Sequence, residues 1–221
     1  MTKDSTRKWL FTLLLGLIIF TFLFFTRIYW YSPWCAVTPT PCVVSQVNVF
    51  DRIVFQFNSI RADFWSNVIQ NVIGFIVFIT PWLLFSRKIA LEETLYTASI
   101  SFWNLACLEV VRALVQRPRP LVFQSILGDG ANINSYTSFY SGHTSFVALA
   151  TLSFYFIMKR RFKNISSLQK AILIFSYGLL TILTGTLRII GGRHYPTDVI
   201  AAALIATLIT IYFQRKVDTK C

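Results

Sequence analysis

Residues 9–25 read WLFTLLLGLIIFTFLFF, an apolar run without one charged side chain. A helix needs about 20 such residues to cross the hydrocarbon of a bilayer. The run exceeds the roughly 7–15-residue apolar core of a signal peptide, and no small-residue cleavage site follows it. It is therefore expected to stay as a first span. Working outward, five more runs follow: about Asn67 to Phe85, Ile89 to about Val115, Thr144 to Met158, Ala171 to Leu187, and Val199 to Phe213. The third carries Glu92, Glu93, Glu109 and Arg112, and the last three are short. Their polar ends are expected inside the protein. The fold expected is all-α: one membrane-embedded domain over residues 1–221, a bundle of six transmembrane helices.

The composition agrees. The chain has 221 residues, 55% hydrophobic and 14% charged. Soluble domains carry about 25% charged residues, so a disordered chain, a coiled coil and an ordinary soluble enzyme are excluded. The net charge is nonetheless +12. Six spans sort the cations onto two faces. One face receives all eight lysines, together with Arg7, Arg87, Arg160, Arg161 and Arg215; Lys220 is the last of this group. The other receives Arg27, Arg52, Arg61, Arg112, Arg117, Arg119, Arg188 and Arg193. By the positive-inside rule the lysine face and both termini are cytoplasmic. The charge excess then marks topology and gives no support for nucleic acid.

The first outer loop holds Cys35 and Cys42, which can form a disulfide if the outer face is oxidising; two free thiols are the alternative. Val49 to Phe64 places Phe50, Ile53, Val54, Phe57, Ile60 and Phe64 near helical spacing. That predicts an amphipathic helix at the interface. Cys107 and Cys221 read as single thiols.

The only two histidines, His143 and His194, fall at the outer ends of expected spans. His143 closes Tyr140-Ser141-Gly142-His143, and His194 sits in Arg188-x5-His194-x3-Asp198. Upstream stands Arg112-x6-Arg119-Pro120. Arg112, Arg119 and Arg188 supply permanent cations with forked donors, which suit a tetrahedral oxyanion. The Ser141 hydroxyl and Gly142 amide add donors at a helix start. Asp198, one turn after His194, can orient the imidazole and raise its basicity. His194 is the nucleophile candidate and His143 the proton donor. Such a set transfers phosphoryl groups without a metal or other cofactor. Blander roles exist too: Arg112 can simply pair with Glu109 at i, i+3, Arg117 reads better as a headgroup anchor, and Arg193 as an anchor or a further phosphate contact.

These motifs resemble the type 2 phosphatidic acid phosphatase superfamily of membrane lipid phosphatases, its bacterial branch in particular. The family pattern is Lys-x6-Arg-Pro, Pro-Ser-Gly-His and Ser-Arg-x5-His-x3-Asp. Arg112 stands for its Lys, Tyr140 for its Pro and Leu187 for its Ser. Tyr140 is expected to leave that loop less rigid. The resemblance implies a metal-independent hydrolase of a phosphate monoester or pyrophosphate on an outer-leaflet lipid, acting through a phosphohistidine at His194. Asp198 would hold His194 and His143 would protonate the leaving group. Arg112, Arg119, Arg188, Ser141 and Gly142 would bind phosphate. The substrates it implies are lipid A phosphate, undecaprenyl pyrophosphate and phosphatidylglycerol phosphate, with membrane lipids as the other partners. The location it implies is a bacterial inner membrane with a periplasmic site. Arg117 and Arg193 would suit a large anionic headgroup such as lipid A. Two other classes fit parts of the pattern: a non-enzymatic lipid-phosphate binder or transporter, and a vanadate-dependent haloperoxidase.

Overall fold

The computed structural model describes residues 3–30, 35, 42–124 and 133–218. Lys220 and Cys221 lie outside the described residues. The described chain is helical: α1 Lys3–Trp30, α2 Ile60–Leu84, α3 Arg87–Val115, α4 Pro120–Gln124, α5 Gly142–Arg161, α6 Ser167–Ile190 and α7 Pro196–Asp218, with short 3₁₀ turns between. Serines start several of them. Ser59 accepts the amide of Ala62 ahead of α2, and Ser166 with Gln169 builds a capping box ahead of α6.

α5 is the axis of the bundle. It packs against α2, α3, α6 and α7, while α1 packs along α3. No side chain from Gly142 to Met158 is exposed. The outer helices instead turn large apolar side chains outward: Phe11, Ile18 and Phe25 of α1, Phe75 of α2, Phe175 and Ile182 of α6, Leu208 of α7. So broad an apolar surface is a poor match for water and a good one for lipid. The protein reads as a membrane protein on this ground.

Among the described residues, five helices are long and apolar enough to cross a membrane: α1, α2, α3 with its extension to Phe123, α6 and α7. α5, the expected fourth of six spans, is not one of them. The physical reason is its central position. A helix enclosed by protein needs no hydrocarbon-compatible surface, so α5 carries Thr144, Ser145, Thr151 and Ser153 inside the core. Thr151 and Ser145 satisfy their hydroxyls on backbone carbonyls of their own helix.

The Val49–Phe64 segment is also not one helix. It forms a 3₁₀ turn over Asp51–Gln56, an extended break at Phe57, and the start of α2. Asp51 and Val54 point inward and are fully buried, while Val49, Phe50, Ile53, Ile60 and Phe64 face out. Inward polar contacts at Asp51 and the Ser59 cap interrupt the periodic pattern.

Cys35 and Cys42 form a disulfide, with Cα atoms 5.0 Å apart. At the lysine-rich end, Arg160 and Arg161 are not simple headgroup cations. Both bond the buried Glu93, and Arg161 also bonds Glu92, which ties α5 to the first turns of α3.

Gly185 sets the α6–α7 distance. A Cβ on it would lie 2.3 Å from Val199 Cγ1, one residue past Asp198. Gly185→Ala is therefore expected to push the first turn of α7 away, costing about 1–3 kcal/mol. Thermal unfolding of the purified variant measures the loss.

Candidate active site

The three predicted clusters meet at one end of the bundle. Arg112 lies in the last turn of α3, and Arg117 and Arg119 follow it. Ser141, Gly142 and His143 start α5, Arg188 closes α6, and Asp198 sits in the first turn of α7. A tight Gly191-Gly192 turn carries the chain on to Arg193 and His194. Gly192 has φ +65°, and a Cβ there would lie 3.0 Å from the Phe57 carbonyl, so the left-handed geometry and the close approach both call for glycine. The Ser59 amide bonds the Ile190 carbonyl and the Ser141 amide bonds the Asp198 carbonyl, which lock these ends together.

His194 is 1% exposed. Its Nδ1 lies 2.8 Å from the Ser138 carbonyl oxygen and 3.6 Å from Asp198 Oδ2. A carbonyl only accepts, so Nδ1 carries the proton and the Nε2 lone pair is left free. Asp198 acts at one remove: Oδ2 accepts the Ser138 hydroxyl (2.5 Å) and the Tyr195 amide (3.0 Å). Ser138 thus binds the imidazole by its carbonyl and the carboxylate by its hydroxyl. Burial pushes the His194 pKa well down, and the nearby Arg188, Arg119 and Arg112 cations and His143 push it further. The imidazole is held neutral, the state a nitrogen nucleophile needs.

Arg117, expected at the membrane surface, is turned inward. One arm reaches Asp198 Oδ1 (2.7 Å) and Thr197 Oγ1 (2.8 Å), the other Asp51 Oδ2 (2.6 Å), and the guanidinium lies over the Tyr195 ring. Asp51 also accepts the Thr197 amide (3.0 Å) and hydroxyl (2.6 Å), which caps α7 from outside the helix. Burial alone would raise the Asp51 pKa, but its bonds from Arg117 and Thr197 outweigh that and hold it below the usual carboxylate range.

Each expected phosphate arginine has a carboxylate neighbour or an open donor. Arg188 bonds Asp63 (2.5 Å) and Ser66 (3.2 Å). Arg193 bonds the other Asp63 oxygen (2.9 Å). Arg112 does pair with Glu109 (2.9 Å), as the i, i+3 spacing allows. Yet the Nε atoms of Arg112, Arg119 and Arg188 are all buried with no hydrogen-bond partner among the described residues. A Cβ on Gly142 would lie 3.6 Å from Arg112 Nη2, so the α5 start approaches the guanidinium closely. Ser141 is fully buried as the α5 cap, its oxygen accepting from Thr144. Tyr140 is not loose: it is fully buried and its hydroxyl donates to the Asn104 carbonyl (3.1 Å). His143 Nε2 lies 2.6 Å from Asn67 Oδ1.

Four polar residues of this site escaped the sequence reading. Asp51, Asp63 and Asn67 lie far upstream of the motifs, and Ser138 just before one. Asp51 and Asp63 are the only carboxylates between residues 26 and 91, a signal that could have found them.

Two outcomes follow. Asp63→Ala strands the buried Arg188, so unfolding should cost on the order of 3 kcal/mol less than in the wild type; denaturant melts in detergent measure this. His194 is protonated in the unfolded chain below pH 6.5 but stays neutral in the folded one. The unfolded state then binds more protons, and stability falls as pH drops from 6.5 toward 5. His194→Gln should reduce that slope in thermal melts across the same pH range, the remainder coming from His143, whose pKa burial pushes down to about 3.

Searches of curated proteins and of solved structures returned no match. A family model, described as the PAP2 superfamily, matches residues 93–220. That is more than half the chain and contains every motif residue named above. Members of this family are phosphatases. The helices, the converged motifs and this match agree, and the chain belongs to the PAP2 superfamily.

Proposed function

We propose that the protein is an integral-membrane lipid phosphatase that removes phosphate from a phosphate monoester or pyrophosphate of an outer-leaflet lipid. One observation carries the reading. A neutral imidazole with a free Nε2 is buried beside three arginines whose inner Nε donors are unpartnered. In the reaction, His194 Nε2 attacks phosphorus as the bond to the leaving oxygen breaks. His143, tethered by Asn67, gives that oxygen its proton. Arg112, Arg119 and Arg188, with the α5 start at Ser141 and Gly142, stabilise the charge on the phosphoryl oxygens. Water then cleaves the phosphohistidine, its proton passing to His143, and inorganic phosphate leaves.

Arg117 and Arg193 do not add free cations for a bulky headgroup, because their arms are taken up by Asp51, Asp198 and Asp63. Lipid A phosphate, undecaprenyl pyrophosphate and phosphatidylglycerol phosphate therefore stand as equal candidates. The lysine-rich face supports cytoplasmic termini and a periplasmic site in a bacterial inner membrane.

The test is phosphate release from those three lipids by protein in detergent. His194→Ala should lose on the order of 10⁴-fold in kcat, and His143→Ala roughly 10²-fold or more. Arg119→Ala should lose about 10²-fold in kcat/KM. Alkaline quenching during turnover should leave phosphate on the peptide that holds His194. Full activity in His194→Ala, or lipid movement without hydrolysis, overturns the reading.

A further inference from the structure

We propose that Asp51 is a positioning residue for His194, offsetting the Arg117 charge that it shares with Asp198. The inference rests on the reading of His194 as the nucleophile.

Asp51 lies ahead of α2, outside the family-matched residues 93–220. It is fully buried and starts an unbroken chain of contacts. Asp51 holds one arm of Arg117, whose other arm holds Asp198 Oδ1. The second oxygen of Asp198 holds the Ser138 hydroxyl, and the Ser138 carbonyl accepts His194 Nδ1–H. Asp51 also fixes Thr197, the residue between Pro196 and Asp198, through both its amide and its hydroxyl. The start of α7 is thereby held in place from outside the helix.

Charge gives this geometry a catalytic consequence. Asp198 and Arg117 alone would cancel. His194 would then face only the cations of Arg112 and Arg119 from the α3 end and Arg188 from α6, with His143 from α5 beside it. Asp51 brings the Asp51–Arg117–Asp198 set to a net charge of minus one. When His194 Nε2 bonds phosphorus the ring gains positive charge, and the surplus carboxylate lies on its Nδ1 side to offset it.

A structural role and a positioning role predict different results. Asp51→Asn should lower kcat roughly tenfold while KM stays within about twofold, and Asp51→Glu should recover part of the loss. Asp51→Asn combined with Arg117→Gln restores the net charge to minus one and should be more active than Asp51→Asn alone. Arg117→Gln alone leaves the set at minus two and should raise the His194 titration midpoint. With only two histidines, labelled-histidine NMR on the whole protein in detergent reads it, and His143→Gln assigns the signals. A double variant no better than Asp51→Asn, or an unmoved midpoint in Arg117→Gln, overturns the proposal. If Asp51→Asn alone does not fold, the double variant decides: its His194 midpoint should fall below that of Arg117→Gln, and an equal midpoint overturns the proposal. An active His194→Ala removes the nucleophile reading and this inference with it. An inactive His194→Ala with a wild-type-like Asp51→Asn removes only this inference.

Discussion

Several guanidinium groups gathered at one end of a low-dielectric bundle repel one another, and the site is built around that repulsion. Like charges at close range cost far more inside protein than in water. The fold answers with carboxylates placed behind the arginines. Asp63 spans Arg188 and Arg193, Glu109 pairs with Arg112, and Asp51 with Asp198 shares Arg117. None of these pairings occupies the buried Nε of Arg112, Arg119 or Arg188. Arg112 and Arg188 are held by their Nη atoms while their Nε donors, and that of Arg119, stay unpaired among the described residues, an arrangement suited to an anion.

The same constraint explains why α5 is central. The helix that begins Ser141-Gly142-His143 must bring its N-terminal end into the cluster, so it is enclosed by α2, α3, α6 and α7. Enclosure allows hydroxyl side chains in its core and removes the need for a lipid-facing surface. The opposite end is fixed by a second buried ion cluster, Arg160 and Arg161 on Glu92 and Glu93. α5 is thus held by ion pairs at this end and by the hydrogen bonds of Ser141 and His143 at the other.

The motif residues do not make the site alone. The segment between the first two long helices supplies Asp51, and the start of α2 supplies Asp63 and Asn67. Each touches a different part of the machinery: Arg117, Arg188 and His143. Ser138 joins the nucleophile candidate to Asp198 through its two oxygens. The role assigned to Asp198 by its i, i+4 spacing is therefore divided, with the nearest Nδ1 acceptor being a backbone carbonyl.

Apolar run length and the position of charges were enough to determine a helical membrane protein, because the need to match hydrocarbon is written locally in each segment. Motif spacing was enough to nominate His143, His194, Asp198 and the three arginines, because each motif is a short local pattern. Pairings across long separations were not legible. Asp51 with Arg117, Asp63 with Arg188 and Asn67 with His143 depend on how helices cross, which no local pattern records. The sequence suggested that Arg117 anchors at the lipid headgroups and that Val49–Phe64 is one helix. Only the tertiary structure turned Arg117 inward and broke that helix, since a buried carboxylate at Asp51 must find a cation and the nearest one packs against α7.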